Sequence, residues 1–471
     1  MEPHEYASQD AVGLLGLMRS GAVTADEVEA AARRAIEAVN AELNALTLPL
    51  FEPALGHDPR GPLAGVPFLI KDSQPFARGV PFAIGSRAIR GAVASADHEL
   101  MARFRAAGLV TLGQTTTPEM ALSFATESVR YGFTRNPWDL ERGVGGSSGG
   151  AAALVAAGAV PVAHANDGAG SIRVPAAACG LVGLKPSRGR TPCGPLIGEA
   201  AFGHSAEFAL TRTVRDAAHL LDAVGGAPPV GEKYAAPPPP RPYADEPRAD
   251  PGRLRVALTT AAWSGVPVDP QVAAVTVNAG QVLEWIGHTV TEASPAVDPD
   301  LLVEAMMLGA IAAGAALLRA RRRPDPALLE AVTRRLIAET QAFTALDMMA
   351  AVDAQHQVTR PVGLFFEEYD LLVTPTLGHL PARHGALDYD DPDYSMRSWL
   401  RRIFEYGPFT APFNVSGNPA ISLPLGHSRE GLPIGVQLVA ARDREDLLLR
   451  VAAQLEQAVP WHDRKPPVHA D

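Results

Sequence analysis

Two glycine-rich stretches decide the fold: Gly145-Gly146-Ser147-Ser148-Gly149-Gly150 and Asp167-Gly168-Ala169-Gly170-Ser171-Ile172-Arg173. Residues 151–163, which follow the first stretch, are small and apolar, as in a packed helix and strand and unlike a flexible Gly/Ser linker. Phosphate-binding loops are excluded, because a Walker loop ends in Gly-Lys-Ser/Thr and a dinucleotide fingerprint requires glycine where Ser148 stands. The two stretches therefore indicate a site at which the backbone approaches a substrate closely.

Ser171 is a candidate nucleophile because it directly follows Gly168-Ala169-Gly170. Glycine clusters free backbone N–H groups to converge on the oxyanion that develops when a carbonyl is attacked. A serine hydroxyl is a weak nucleophile and requires a general base. The base must therefore be sought elsewhere in the chain.

Histidine is the usual base, but the chain has no G-x-S-x-G elbow around these stretches, and we expect His164 and His204 to be structural or rim residues. Lys71 ends the apolar run 65–70 and so emerges from a predicted buried strand. Acting as a base at pH 7 requires the pKa of Lys71 to fall by about 3.4 units from its ordinary ~10.4, a shift that burial can supply. From the residues alone, Lys71 is either a base or a strand-end lysine that reaches solvent.

Together these segments resemble the amidase signature family of Ser–Ser–Lys hydrolases. The interval of 24 residues between Ser147 and Ser171 is that of the family. The matching segments are residues 65–72, 113–120, 134–138, 145–176, 179–190, 412–420 and 431–437.

The resemblance implies a role for each matched residue. Ser171 would be the nucleophile, and Ser147, on a cis peptide after Gly146, would relay the proton between Ser171 and a neutral Lys71. Ser148 would orient the lysine. Four N–H groups would form the oxyanion hole, those of Gly168, Ala169, Gly170 and Ser171. The loop would be held by Asp167 and Arg173.

The implied reaction is acyl transfer through an acyl-enzyme, with no metal and no cofactor. Residues 162–170 and 440–449 are similar to the branch that contains the nylon-oligomer (6-aminohexanoate cyclic-dimer) hydrolases. Ala169 stands where most members have glycine, and its methyl group disfavours positive φ and would narrow the floor of the site. We expect a hydrolase of C–N bonds in small linear, cyclic or aryl amides, extending to carbamates (urethanes).

Short apolar runs alternate with helical patterns along the chain, which predicts an α/β fold with a large mixed, mostly parallel β-sheet covered by helices on both faces. Predicted strands occupy residues 65–70, 109–113, 158–163, 254–259, 371–374, 420–425 and 434–439. Predicted helices occupy residues 97–107, 269–286 and 444–459.

Residues 1–60 are predicted to form a helical N-terminal segment packed on the core, and residues 61–471 the amidase signature domain. Ser8 is a candidate cap for a helix that ends near Arg19, and Thr24 with Glu27 forms a capping box for the next helix. The proline-rich residues 225–252 are predicted to be a surface linker.

Residues 301–402 do not visibly match the family and are predicted to shape the substrate pocket. Within them the apolar residues 305–318 are candidates for the pocket wall. Four aromatic side chains from this region and just after it are candidates for either the pocket wall or ordinary core: Trp399, Phe404, Tyr406 and Phe409.

Composition excludes several classes of protein. The 471 residues are 47% hydrophobic and 20% charged, unlike a disordered chain. A net charge of −11 argues against nucleic acid or an anionic membrane as the main partner. The two cysteines, Cys179 and Cys193, are too few for a disulfide framework or a structural zinc site.

The acidic start lacks the features of a signal peptide, and the fourteen apolar residues 305–318 fall short of the ~18 needed to span a membrane. We therefore expect a cytoplasmic enzyme acting on a small molecule, with a homodimer left open. Two alternatives remain: an amidotransferase subunit that releases ammonia from glutamine for tRNA-dependent amidation, and a catalytically inactive binding protein on the same scaffold.

Overall fold

The computed structural model describes residues 1–194 and 199–471. Within these ranges ten strands form one sheet, and the other four form two small hairpins. In chain order the strands are β1 (Pro67–Lys71), β2 (Val110–Thr115), β3 (Glu127–Ser128), β4 (Gly132–Phe133), β5 (Arg135–Asn136), β6 (Asp139–Gly143), β7 (Val162–Asp167), β8 (Val182–Lys185), β9 (Ala206–Thr211), β10 (Arg255–Leu258), β11 (Thr289–Glu292), β12 (Leu371–Pro375), β13 (Ala420–His427) and β14 (Pro433–Ala440).

The α-helices surround this sheet. In chain order they are α1 (Pro3–Ser8), α2 (Ala11–Arg19), α3 (Ala25–Leu43), α4 (Glu99–Ala106), α5 (Gly149–Ala156), α6 (Arg173–Cys179), α7 (Val214–Val224), α8 (Pro270–Trp285), α9 (Pro299–Arg319), α10 (Ala331–Ala342), α11 (Ala345–Glu368), α12 (Met396–Tyr406), α13 (Pro412–Val415) and α14 (Glu445–Ala458). Every residue of β1, β2, β12 and β14 is buried. Because alternate side chains point to opposite faces of a sheet, helices cover both faces.

The large mixed sheet predicted from sequence is confirmed. Its strand order is β11-β10-β12-β14-β13-β8-β9-β7-β1-β2. The parallel pairs lie at the two ends, and the five pairs from β12 to β7 are antiparallel. Parallel pairing is therefore less extensive than predicted. One reason is that β13 and β14 are joined by a short turn, a connection that only antiparallel neighbours permit.

Most predicted elements are confirmed, with two instructive departures. The predicted strand at residues 158–163 lies four residues later, as β7, and strands β8, β9 and β11 are not among the predicted ones. Most polar residues of β7 and β9 are buried, so a search for apolar runs does not find these strands.

Of the N-terminal helices, α3 packs against β1, whereas α1 packs on α3 and α2 on α7. Asp10, not Ser8, caps α2, because its side chain accepts from the Gly13 N–H, whereas Ser8 ends the short α1. The capping box of Thr24 and Glu27 at the start of α3 is confirmed. The buried stripe of α3 consists of Val28, Ala31, Ala32, Ala35, Ile36, Val39 and Leu43.

The proline-rich residues 225–252 connect α7 to β10 and are mostly exposed. Tyr243 and Glu246 are buried anchors within this segment. The Glu246 carboxylate accepts from Arg241 at 2.8 Å and from Arg450 of α14 at 2.5 Å. The segment is thereby tied to the body of the molecule.

Helix α9 is longer than the fourteen apolar residues read from the sequence, because its first turn begins at Pro299 and includes charged residues. By length and composition alone this helix could cross a membrane, with a mean hydropathy of 2.1 over its most apolar window; half of that window is buried. Its neighbours are α10, α11 and α12. Its small side chains line the cavity described below.

Candidate active site

The sheet and two helix starts bring the site residues together. Lys71 and Asp167 end β1 and β7, which are parallel neighbours, so both residues lie at the same edge of the sheet. Ser148 immediately precedes α5, and Ser171 lies two residues before α6. Residues far apart in sequence therefore meet at the carboxyl ends of two strands.

Lys71 is buried and surrounded by three neutral oxygen atoms. Its Nζ lies 2.7 Å from Ser147 Oγ, 3.0 Å from Ser148 Oγ and 2.6 Å from Asn166 Oδ1. Burial lowers the pKa of Lys71 to about 7, although nearby carboxylates act in the opposite direction. The lysine is thus a strand-end residue that does not reach solvent, and a neutral amine is accessible to it near pH 7.

The Gly146–Ser147 peptide bond is cis, as the resemblance implies. Ser147 and Ser171 line the same cavity, and Ser171 is 6% exposed. Within the described ranges the structure records no hydrogen bond between Ser147 and Ser171. Lys71 and the two serines of the first stretch are therefore in direct contact, and Ser171 lies on the wall of the same cavity as Ser147.

The four backbone N–H groups of residues 168–171 donate no hydrogen bond to any part of the protein that the structure describes. Gly170 has φ of +148°, and a Cβ there would lie 2.4 Å from Thr410 Oγ1. Thr410 Oγ1 in turn donates to the Ala169 carbonyl at 2.6 Å. Ala169 has no positive φ, so alanine fits without the backbone strain that its replacement of glycine suggested. Its methyl group lines the cavity, as expected.

Asp167 and Arg173 form a fully buried ion pair beneath this loop. Arg173 Nη2 lies 2.8 Å from Asp167 Oδ1, and Nε lies 2.9 Å from Oδ2. Burial alone would raise the pKa of Asp167, but the charge and hydrogen bonds of Arg173 lower it to about 2. Arg173 also donates to Asn414 Oδ1 at 2.6 Å and to Gln437 Oε1 at 2.7 Å, which ties the loop to α13 and β14.

A cavity of about 900 Å³ opens onto Ser147 and Ser171. Much of its wall is apolar, and α9 contributes its small side chains, among them Gly309, Ala312 and Ala313. The predicted role of residues 305–318 as a pocket wall is confirmed. The four aromatic candidates are core residues instead, and none of them lines the cavity: Trp399, Phe404, Tyr406 and Phe409. From the same region, Leu400 and Ile403 reach the cavity.

Two histidines and a glutamate lie near the site. His204 lines the cavity, and burial lowers its pKa to about 3. His164 is buried and its Nε2 lies 2.9 Å from Glu207 Oε2. Neither ring contacts a serine of the site within the described residues, so both are structural or wall residues. Glu207 lines the cavity. The sequence did not identify it as a site residue, because a single acidic residue forms no recognisable motif.

In the described part of the chain, no group of three or more His, Cys, Asp or Glu side chains is arranged to hold a metal ion. The contacts of Lys71 with Asn166 and of Arg173 with Asn414 were also absent from the sequence-based assignment. Both asparagines stand in matched segments, so the signal was present without a role attached to it.

Known proteins are similar to this chain in sequence and in fold. The family model for amidases matches residues 25–449. The chain is 41% identical to the 6-aminohexanoate-cyclic-dimer hydrolase of Paenarthrobacter ureafaciens, over 97% of this chain and 96% of that protein. A solved structure of 6-aminohexanoate cyclic dimer hydrolase complexed with substrate superposes with a TM-score of 0.91, at 38% identity, over 98% of this chain and 99% of that one.

A bacterial aryl acylamidase of the amidase signature family superposes with a TM-score of 0.85 at 26% identity, over 98% of each chain. Both similarities extend over nearly the whole length, so they include the glycine-rich stretches and the central sheet together. The chain belongs to the amidase signature family and is an amide-hydrolysing enzyme of that family.

Proposed function

We propose that the enzyme hydrolyses C–N bonds of small linear, cyclic and aryl amides, and of aryl carbamates, with Ser171 as nucleophile, Ser147 as proton relay and Lys71 as base. The observation that carries this proposal is the contact of buried Lys71 with Ser147 at 2.7 Å, on the wall of the cavity that Ser171 also lines.

The hydrogen bonds of Lys71 support a direction for the proton transfer. A neutral amine has two hydrogens and one lone pair. The side-chain oxygen Asn166 Oδ1 can only accept, so it takes one hydrogen of the amine. The Ser148 hydroxyl donates its own hydrogen to the backbone carbonyl of Asn166 at 3.3 Å, so the Ser148 oxygen accepts the second hydrogen of the amine. Both hydrogens are thus assigned, and the lone pair faces the Ser147 hydroxyl.

Acylation follows from this arrangement. Ser171 Oγ attacks the carbonyl carbon as its proton passes to Ser147, and the Ser147 proton passes to Lys71. The carbonyl oxygen becomes an oxyanion that accepts from the free amides of residues 168–171. The C–N bond breaks as the lysine returns its proton through Ser147 to the leaving amine. The acyl group is now bound to Ser171 as an ester. A water molecule, activated by the same proton relay, hydrolyses this ester and regenerates Ser171.

The cavity supports a substrate with an apolar body. Its lining includes apolar side chains of α9 and of other segments, in a volume suited to a small molecule: Met306, Ala310, Ile311, Phe76, Ile84 and Phe124. The relatives' names specify a cyclic dimer of 6-aminohexanoate and aryl acylamides, which are amides flanked by methylene chains or rings. Such an apolar wall suits them better than it suits glutamine, whose amino and carboxylate groups are both charged.

We propose further that the enzyme works without a partner protein, in the cytoplasm, with a homodimer compatible with this activity. Its net negative charge supports a small-molecule partner rather than nucleic acid or a membrane surface. The retention of Lys71, Ser147 and Ser171 together supports an active enzyme over an inactive binding scaffold.

The test is release of p-nitroaniline from a matched amide and carbamate, with wild type beside Ser171→Ala and without added partner or metal. We expect turnover by wild type and its loss in Ser171→Ala, with the amide-to-carbamate ratio defining the preferred bond. Ser187→Ala, at a buried serine outside the cavity, is the matched control and should retain turnover. Equal turnover by Ser171→Ala would overturn the assignment of the nucleophile.

A further inference from the structure

Glu207 is a buried carboxylate on β9 that the reaction above does not use. It is 2% exposed and lies directly opposite Asn166 in the antiparallel pairing of β9 with β7. Directly opposite residues share one face of a sheet. The Glu207 carboxylate therefore lies on the face from which Asn166 contacts Lys71.

Few donors in the protein compensate the negative charge of the Glu207 carboxylate. Its Oε2 lies 2.9 Å from His164 Nε2, and its Oε1 has no hydrogen-bond partner among the described residues. Burial lowers the pKa of His164 although Glu207 opposes this shift, so the ring is a neutral donor near pH 7. The charge of the pair is therefore on the carboxylate.

Lys71 needs a counter-charge when it is protonated, because its three contacts are neutral oxygens in a buried site. The charged groups that face it are Glu207 from β9, Asp167 from β7 and Asp72, which follows β1. Asp167 is already neutralised by the ion pair with Arg173.

Asp72 is also committed elsewhere. Its carboxylate accepts from the N–H groups of Ala83 and Gly85 and from the Tyr131 hydroxyl at 2.7 Å, and burial raises its pKa. Glu207 is thus the carboxylate near Lys71 with the fewest other donors.

We propose that Glu207 is a positioning residue that acts on the reaction through Lys71: its carboxylate stabilises the lysinium that forms when Lys71 accepts the proton relayed by Ser147. The proton leaves Lys71 again when the amine is expelled, so Glu207 itself neither gains nor loses a proton. This inference rests on the function proposed above. Glu207 would act on Lys71 as the carboxylate of a Ser-His-Asp triad acts on its histidine.

The other groups around Glu207 do not titrate against it near neutral pH. They are His164 from β7, His98 from the segment before α4, and Cys193. Burial lowers the pKa of His98 and raises that of Cys193. Among the groups around Glu207, Lys71 is therefore the one whose pKa lies near neutral pH. Burial also lowers the pKa of Lys185 on β8 to about 7, but the carboxylates that oppose this shift are Asp167 and Glu445, not Glu207.

The experiment is the pH profile of kcat/KM for arylamide hydrolysis by Glu207→Gln. Because the carboxylate raises the pKa of Lys71, its loss should move the acid limb of the profile to lower pH by roughly one unit. The weaker base should lower the plateau kcat about fivefold, with KM unchanged. Glu207→Asp, which keeps the charge, should retain the wild-type limb. Glu37→Gln makes the same charge change on an exposed face of α3 and is the control.

If Glu207→Gln does not fold, the double variant Glu207→Gln/His164→Gln places two amides that can bond each other, and the same shift is expected. An acid limb that stays in place in a folded variant would overturn the inference, whatever the loss of rate. So would a rise in KM confined to substrates with an ammonium group, which would make Glu207 a substrate anchor. Failure of the proposed function is separate, since it would show as absent wild-type turnover or an active Ser171→Ala.

Discussion

Lys71 combines complete burial with three hydrogen bonds to neutral groups, a setting that favours the uncharged amine. With a pKa lowered to about 7, the lysine is protonated below that pH and cannot accept a proton. We expect kcat/KM of the wild type to rise with pH through this value. The measurement is arylamide hydrolysis as a function of pH across the neutral range.

Replacing this lysine tests its role as base. We expect Lys71→Met to lower kcat/KM by roughly 10²- to 10⁴-fold, the usual contribution of a general base. Lys465→Met, on the surface near the C-terminus, is the control and should behave as wild type. A Lys71→Met enzyme with full activity would rule out the lysine as base.

The loop before Ser171 offers a matched pair of substitutions. Gly170→Ala places a Cβ 2.4 Å from Thr410 Oγ1, at a φ that alanine avoids, and should displace the N–H groups of the oxyanion hole. We expect a loss of about 10²-fold or more in kcat, comparable to removal of one oxyanion donor. Ala169→Gly should keep activity and accept a broader set of substrates. Total loss in Ala169→Gly would show that the methyl group is itself required.

Between elements, the Asp167–Arg173 pair joins β7, α6, α13 and β14. Asp167→Asn leaves a buried guanidinium without its carboxylate, and we expect the free energy of unfolding to fall by about 3–5 kcal/mol. Asp139→Asn breaks the more exposed pair with Arg142 and should cost ~1 kcal/mol or less. Chemical denaturation of both variants provides the comparison; equal effects would show that the buried pair does not hold the elements together.

The same pair gives stability a pH dependence. The pKa of Asp167 is lowered from 3.8 to about 2 in the folded protein, so the folded state binds fewer protons than the unfolded state between these values. The associated stabilisation, about 2 kcal/mol, is fully present above pH ~4 and is lost as pH falls through about 2. Asp167→Asn should flatten this part of the acid-unfolding curve.

A substitution in helix α9 tests whether the cavity is the substrate pocket. Ala312 lines the cavity and is only partly buried, so Ala312→Phe fills part of its volume. We expect KM for bulky arylamides to rise several-fold, with little change for acetamide-sized substrates. Ala350→Phe, on an exposed part of α11, is the control. Equal effects on both substrate sizes would place the acyl or amine group elsewhere.

The sequence predicted strands best where apolar residues predominate. Runs such as residues 371–374 and 434–439 stand out and became β12 and β14. In β7 and β9 the positions that serve the site are polar: His164, Asn166 and Asp167 in one, Glu207 in the other. These side chains find their partners in the folded site, His164 with Glu207, Asn166 with Lys71 and Asp167 with Arg173. No apolar pattern marks such positions, and so β7 was displaced and β9 missed.

At the scale of the molecule, the site depends on contacts between residues hundreds of positions apart. The glycine-rich stretches could be identified from sequence because the interval between Ser147 and Ser171 is short and specific, and Lys71 because it ends an apolar run that resembles a family segment. The contacts of Arg173 with Asn414 and Gln437 span 241 and 264 residues, and only the folded sheet brings them together. The cavity wall formed by α9 likewise emerged from packing, since apolar residues at 305–318 and at 399–409 look alike in sequence but face different surroundings.

The central claim is that Ser171 carries the acyl group during turnover. The most direct measurement is mass spectrometry of the enzyme quenched during reaction with a slowly hydrolysed aryl carbamate. We expect one carbamoyl adduct on Ser171, its absence in Ser171→Ala, and its slow formation in Lys71→Met. An adduct on another residue, or product release with no covalent intermediate under conditions that trap one, would contradict the claim.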